Sequence, residues 1–200
     1  MKMSVKIWVA SFIVCLALQA HGQTVQKVVD IPTRPGVTQR MLILSPPEPK
    51  AIVILIPGGH GGLQIFSNGS FKWGEGNFLV RTRQLFADKG LTVAILDAPS
   101  DRQTSPFLSG FRQTPEHAED IKAVIAWLRV QSKIPVWLVG TSRGTQSAAY
   151  TAIQLSGAHG PDGIVLTSTI LTDAKGRAVP AMPLDRLRIP VLVVHHERDG

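Results

Sequence analysis

The sequence predicts a three-layer α/β/α sandwich with a mostly parallel sheet that opens on an N-terminal antiparallel hairpin. Three observations predict it. Short, nearly unbroken apolar runs recur at Ala51 to Ile56, Leu91 to Leu96, Val136 to Val139 and Ile189 to Val194. Runs of this kind mark strands covered on both faces. Segments with helical spacing lie between them, and right-handed crossovers would place those helices on both sides of the sheet. The first two strand-like stretches, Val25 to Ile31 and Gln39 to Leu44, are separated by a short segment that holds the turn residues Pro32 to Gly36, which makes them a hairpin.

In chain order, residues 1–22 read as a secretory signal peptide. Lys2 and Lys6 supply a positive start, and Ile7 to Leu18 an apolar stretch short for a membrane span. Cleavage is expected after Gly22, with Ala20 as the alternative site; an uncleaved anchor is the competing reading. Export to the periplasm or medium follows, with no stable membrane insertion after cleavage. Cys15 is the only cysteine and leaves with the signal, so the mature chain has no disulfide and relies on its core. Residues 23–200 suit one domain.

Ser45 to Pro49 is a proline-rich connector, and Ala51 to Ile56 is the first strand expected in the parallel part. A loop from Pro57 to Gly76 follows, with seven glycines. A helix is expected over Asn77 to Lys89, with Phe78, Leu79, Leu85 and Phe86 on one face and Gly90 as its stop. After the strand Leu91 to Leu96 comes a polar loop, Asp97 to Gln113. Thr114 then caps a helix with Pro115 at its first position and Ile121, Val124, Ile125 and Leu128 as its apolar stripe. Gly163 to Ser168 is a further strand, Thr169 to Arg188 an irregular connection, and Ile189 to Val194 a last buried strand.

Hydrophobic residues make up 44% of the chain and charged ones 18%, as in a globular protein with a large core. The net charge is +7, of which the signal segment holds two. The remaining basic residues form no run, which argues against nucleic-acid binding. His195-His196-Glu197 is too compact for ligands converging on one ion, so no metal is expected. No Gly-Lys-Ser/Thr follows the glycine loop and no dinucleotide fingerprint is present, so no cofactor is expected either.

The chemistry concentrates at Val136 to Tyr150, where an apolar run meets Gly140-Thr141-Ser142-Arg143-Gly144 and then small residues that suit a helix start. A sharp strand-to-helix turn strains its middle residue, and the flanking glycines remove Cβ atoms that would clash. Ser142 is thereby displayed as a nucleophile. The Arg143 N–H points at the same place, where an anion can develop. Pro57-Gly58-Gly59-His60-Gly61-Gly62 follows a strand at the same sheet edge, and the N–H of Gly59 or His60 is the second oxyanion donor. Asp199, just past the last strand, is the candidate for the acid that orients a base. Asp97 is the second choice, more in keeping with a turn at Ala98-Pro99. Phe66, Phe71, Trp73 and Phe107 lie in loops at this edge and could line an acyl pocket, with Trp73 and Phe107 the chosen substrate contacts; packing roles serve equally well for each.

The serine motif, the Pro57–Gly62 loop and an aspartate after a strand, in the order Ser then Asp, resemble the α/β-hydrolase superfamily from about Val25 to Gly200. The resemblance implies a serine esterase acting through an acyl-enzyme on Ser142, with a small ester or amide as substrate. It also implies a histidine after the acid, on a loop following one more strand. The sequence stops one residue after Asp199, so that histidine is expected beyond residue 200, in a longer chain. Of the histidines present, His60, His117, His159, His195 and His196 each suit a structural role better than that of the base. The short connection Thr169 to Arg188 leaves no room for a large lid. The rivals are an amidase or peptidase of the same fold, and a non-catalytic binding protein on this scaffold.

Overall fold

The structure is a computed structural model and describes residues 23–174 and 176–198. The expected signal segment therefore lies outside the described residues, as does Asp199. Seven strands form one sheet in the order β1-β2-β4-β3-β5-β6-β7. They are β1 (Val25–Arg34), β2 (Val37–Ser45), β3 (Ala51–Ile56), β4 (Leu91–Leu96), β5 (Val136–Thr141), β6 (Gly163–Thr167) and β7 (Val191–Val194). The β1·β2 and β2·β4 pairings are antiparallel, and β4, β3, β5, β6 and β7 run parallel. The expected three-layer α/β class is the one observed.

The helices are α1 (Phe78–Arg81), α2 (Arg83–Asp88), α3 (Pro115–Gln131) and α4 (Gly144–Gln154). The pleat of β2 sorts the two cores they cover. Met41 and Ile43 join Ile52, Ile54 and Ile56 under α3 and α4, whereas Leu42 and Leu44 join Val53, Leu55 and Ile95 under α1 and α2. Ile121, Val124, Ile125 and Leu128 of α3 are all buried, and Thr114 Oγ1 caps the helix by accepting from the His117 N–H.

Three expectations change. The hairpin strands extend through the expected turn: Pro32 pairs with Thr38 within β1, next to a bulge, and only Pro35 and Gly36 separate the strands. β1 lies at the sheet edge, where proline's missing donor costs no ladder bond. The single helix over Asn77 to Lys89 is two short ones, interrupted at Thr82. Asn77 caps the first of them, and its buried residues are Leu79 and Val80; Phe78 and Leu85 face solvent. Finally, β7 is not buried. Its four side chains are 42–56% exposed, because only β6 flanks it and no described helix covers it.

The antiparallel hairpin is pinned to α3 by charge. Arg34 donates to Asp120 at 2.8 and 3.0 Å, Thr33 Oγ1 donates to the same carboxylate at 2.5 Å, and Asp120 is fully buried. A buried carboxylate needs such partners to offset its lost hydration.

Candidate active site

β3 and β5 end side by side, Ile56 opposite Gly140, so the glycine loop and the serine turn leave the sheet as neighbours. Ser142 has φ +51, a left-handed conformation that a non-glycine residue adopts at a cost of about 1–3 kcal/mol. The turn is held against that cost. The Ser142 N–H donates to Thr167 O at 3.1 Å, and Ser142 O accepts from the N–H and Oγ1 of Thr145 at 2.9 and 2.6 Å. The two loops touch where side chains are missing. A Cβ on Gly58 would lie 2.9 Å from Ser142 Cβ and 3.4 Å from its Oγ, and one on Gly144 would lie 2.0 Å from Ile56 O. Ser142 is half-buried, with its hydroxyl beside the first glycine cluster.

The expected oxyanion donors are unclaimed. Among the described residues, the N–H groups of Gly59, His60 and Arg143 donate to no protein acceptor. Gly59 has φ +64 and is exposed, and His60 follows it on the surface. The His60 side chain is committed elsewhere: its ring stacks on Phe107 at 4.4 Å and its Nδ1 accepts from the Gly62 N–H at 3.1 Å. Of the two expected substrate contacts, Phe107 therefore packs on the glycine loop itself. Trp73 docks one step further along, with its backbone N–H on Leu63 O and its indole N–H donating to Gln64 Oε1. Phe66 is exposed, and Phe71 belongs to the core.

Asp97 is a structural hub and not an orienting acid. Its carboxylate accepts from the N–H groups of Leu63, Gln64, Ile65 and Ala98 at 2.7–3.0 Å, and it is buried. The Asp199 assignment falls outside the described residues. It sits five positions past the last residue of β7. No described side chain hydrogen-bonds Ser142 Oγ. The Thr169 N–H donates to His195 Nε2 and the Arg198 N–H to His196 Nδ1. His159 lies past α4 beside the Val136 end of β5, the opposite sheet edge from Ser142.

His117, in the first turn of α3, faces inward toward α4. It is buried, and its Nε2 lies 2.9 Å from Ser147 Oγ on α4. Burial, then the charges of Arg112 and Arg34, pull its pKa from 6.5 down to about 3. An unfolded chain takes up this proton near pH 6.5 and the folded one only near 3. Stability therefore falls as pH drops through that window, by about 1.4 kcal/mol per unit. Urea denaturation should approach this slope between pH 6 and pH 4, and His117→Gln should flatten it; an equal slope in the variant would count against His117 as the source.

Sequence reasoning passed over Arg112 entirely. It is 4% exposed, and its guanidinium donates to Ser147 Oγ at 3.0 Å, Pro57 O at 3.0 Å and Gly59 O at 3.3 Å. Burial, then Arg143, lower its pKa to about 9, so it stays charged at neutral pH. Arg143 meets Asp173, a nearly buried carboxylate that also accepts from Gln146 Nε2. These residues surround a cavity of about 70 Å³ beside the serine turn. The only advance signal was that Arg112 sits in a loop at the sheet's carboxyl edge.

No protein-family model matches the sequence, and no curated protein matches it. Solved structures do resemble the fold. An α/β serine hydrolase without lid from Xanthomonas campestris aligns with a TM-score of 0.53 at 20% identity, over 86% of this chain and 71% of that one. An esterase from an Arctic intertidal metagenomic library, described as cold-adapted, aligns with 0.58 at 13%, over 86% and 71%. Dienelactone hydrolase from Anabaena variabilis aligns with 0.57 at 12%, over 88% of both chains. The chain has the α/β-hydrolase fold.

Proposed function

We propose that the protein is a serine hydrolase that cleaves carboxylic esters through an acyl-enzyme on Ser142. The observation that carries this reading is the strained, half-buried Ser142 facing a loop whose Gly59 and His60 N–H groups, with that of Arg143, have no protein acceptor. Unclaimed amides around a displayed hydroxyl are what a tetrahedral oxyanion needs. Ser142 Oγ attacks the carbonyl carbon and passes its proton to a histidine. The oxyanion settles on the Arg143 N–H and on that of Gly59 or His60. Collapse expels the alcohol, which takes the proton, and water then releases the acid by the same path. The histidine is supplied by a segment after Asp199, which orients it. The bared flank of β7 gives such a segment a place to pack. The neighbour of the same fold that is described as an esterase favours an ester over an amide. The chain is exported, as its N-terminal sequence suggests.

The test is covalent labelling of the full-length protein with a fluorophosphonate, followed by peptide mapping, and turnover of p-nitrophenyl acetate beside the matching anilide. Phosphonylation at Ser142 with faster ester cleavage is expected. A folded protein that takes no label is a binding module instead. Faster anilide cleavage makes it an amidase.

A further inference from the structure

The serine turn and the glycine loop account for the nucleophile and the oxyanion amides, but not for what keeps the loop from using its own glycines. Gly58, Gly59, Gly61 and Gly62 make this a stretch with much backbone freedom to lose. Its carbonyls could turn toward Ser142 as readily as its amides. Arg112 is placed to decide between these states. Its Nη2 donates to both Pro57 O and Gly59 O, the carbonyls on either side of the Gly58 that touches Ser142. A carbonyl drawn to a buried guanidinium cannot face the nucleophile, and the peptide N–H that follows it points the other way. Pinning Gly59 O therefore aims the His60 N–H away from Arg112.

The cost of this arrangement shows that it is specific. Among the described residues Arg112 has no carboxylate partner; all three of its acceptors are neutral oxygens, and its Nε is buried without one. A buried charge without a counter-ion is expensive, and a fold retains it only where the surroundings hold it. Here Ser147 on α4, itself bonded to His117, fixes the far side of the guanidinium.

We propose that Arg112 is a positioning residue of the active site, which holds the Pro57–Gly59 carbonyls on the buried side so that the loop's amides face the oxyanion of Ser142. This rests on the serine-hydrolase reading above. Arg112→Lys keeps the charge but has no fork to span two carbonyls, and Arg112→Met keeps the length alone. In the full-length protein, kcat for p-nitrophenyl acetate should fall about 10-fold in the lysine variant and about 10²-fold in the methionine variant, with KM within about two-fold, the pattern of a lost transition-state contact. Amide hydrogen exchange at Gly62 and Leu108, whose N–H groups donate to His60 Nδ1 and His60 O, should quicken in both, while exchange in β3 and β5 stays as in wild type. If the methionine variant does not fold, the lysine variant decides. Exchange at Gly62 and Leu108 that stays at the wild-type rate overturns the proposal, as does a loosened loop with wild-type kcat. Wild-type protein whose Ser142 takes no fluorophosphonate removes the hydrolase reading and this role with it. That outcome differs from failure of Arg112 alone, in which wild type and variants label and turn over at equal rates.

Discussion

Ser142→Ala should abolish ester turnover while leaving the fold intact, with kcat/KM down by about 10⁴–10⁶-fold. The size follows from what remains. Alanine removes the one oxygen that attacks the carbonyl in the proposed mechanism. The amides of Gly59, His60 and Arg143 stay in place and can still polarise a bound ester, which accounts for the residue of activity. The backbone bonds that hold the turn, from the Ser142 N–H to Thr167 O and from Thr145 to Ser142 O, do not involve the hydroxyl. Thermal unfolding should accordingly change by less than about 1 kcal/mol, as expected for losing a hydroxyl that has no hydrogen-bond partner among the described residues. Turnover within ten-fold of wild type would move the nucleophile to another residue.

The second large effect is on stability. Gly144→Ala should cost more than about 3 kcal/mol and leave little soluble protein. The new Cβ would stand 2.0 Å from Ile56 O, 2.9 Å from Ile56 C and 3.1 Å from Pro57 O. All three are backbone atoms at the end of the central strand β3, so no rotamer change relieves the clash. Either α4 moves off the sheet or β3 bends, and both sacrifice packing around Ile54, Ile56, Ala148 and Ala149. Gly76→Ala is the natural comparison. Nothing lies within 4 Å of its Cβ position and its φ is not positive, so its effect should stay within about 0.5 kcal/mol. Guanidinium denaturation of the two variants beside wild type measures the difference, and equal midpoints would mean that the serine turn and β3 are not so closely joined.

Much of this arrangement was legible in the sequence because it is set by local rules. A run buried on both faces reads the same wherever its neighbours are, and Gly-x-Ser-x-Gly is a requirement of one turn's own backbone. Thr114-Pro115 announced α3 in the same way. What was not legible depends on residues far apart in the chain. Arg112, His117 and Ser147 come from a loop and two helices, and each looks ordinary in its own segment. The burial of His117 follows from α4 packing on α3, not from its place in a first turn. Asp97 looked like a turn former and is one, but its four donors include three from a segment over thirty residues earlier. The break at Thr82 arises where its hydroxyl donates to Phe78 O, a bond that competes with continued helix. The exposure of β7 depends on what lies beside it, which its own apolar sequence does not report.

The Asp97 carboxylate has a consequence for how this scaffold can diversify. It ties down residues 63–65, while Arg112 ties down 57–59, so the stretch between them is anchored at both ends. Beyond it, Ile65 pairs with Phe71, and Phe66 closes a small turn with Ser70 and Gly69. That excursion lies outside both anchors and rests on the sheet through Gly69, beside Gln26 and Leu42, and through the core residue Phe71. Its tip at Ser67 and Asn68 can be lengthened, shortened or rewritten without disturbing residues 57–65, so this stretch can vary independently of the serine turn.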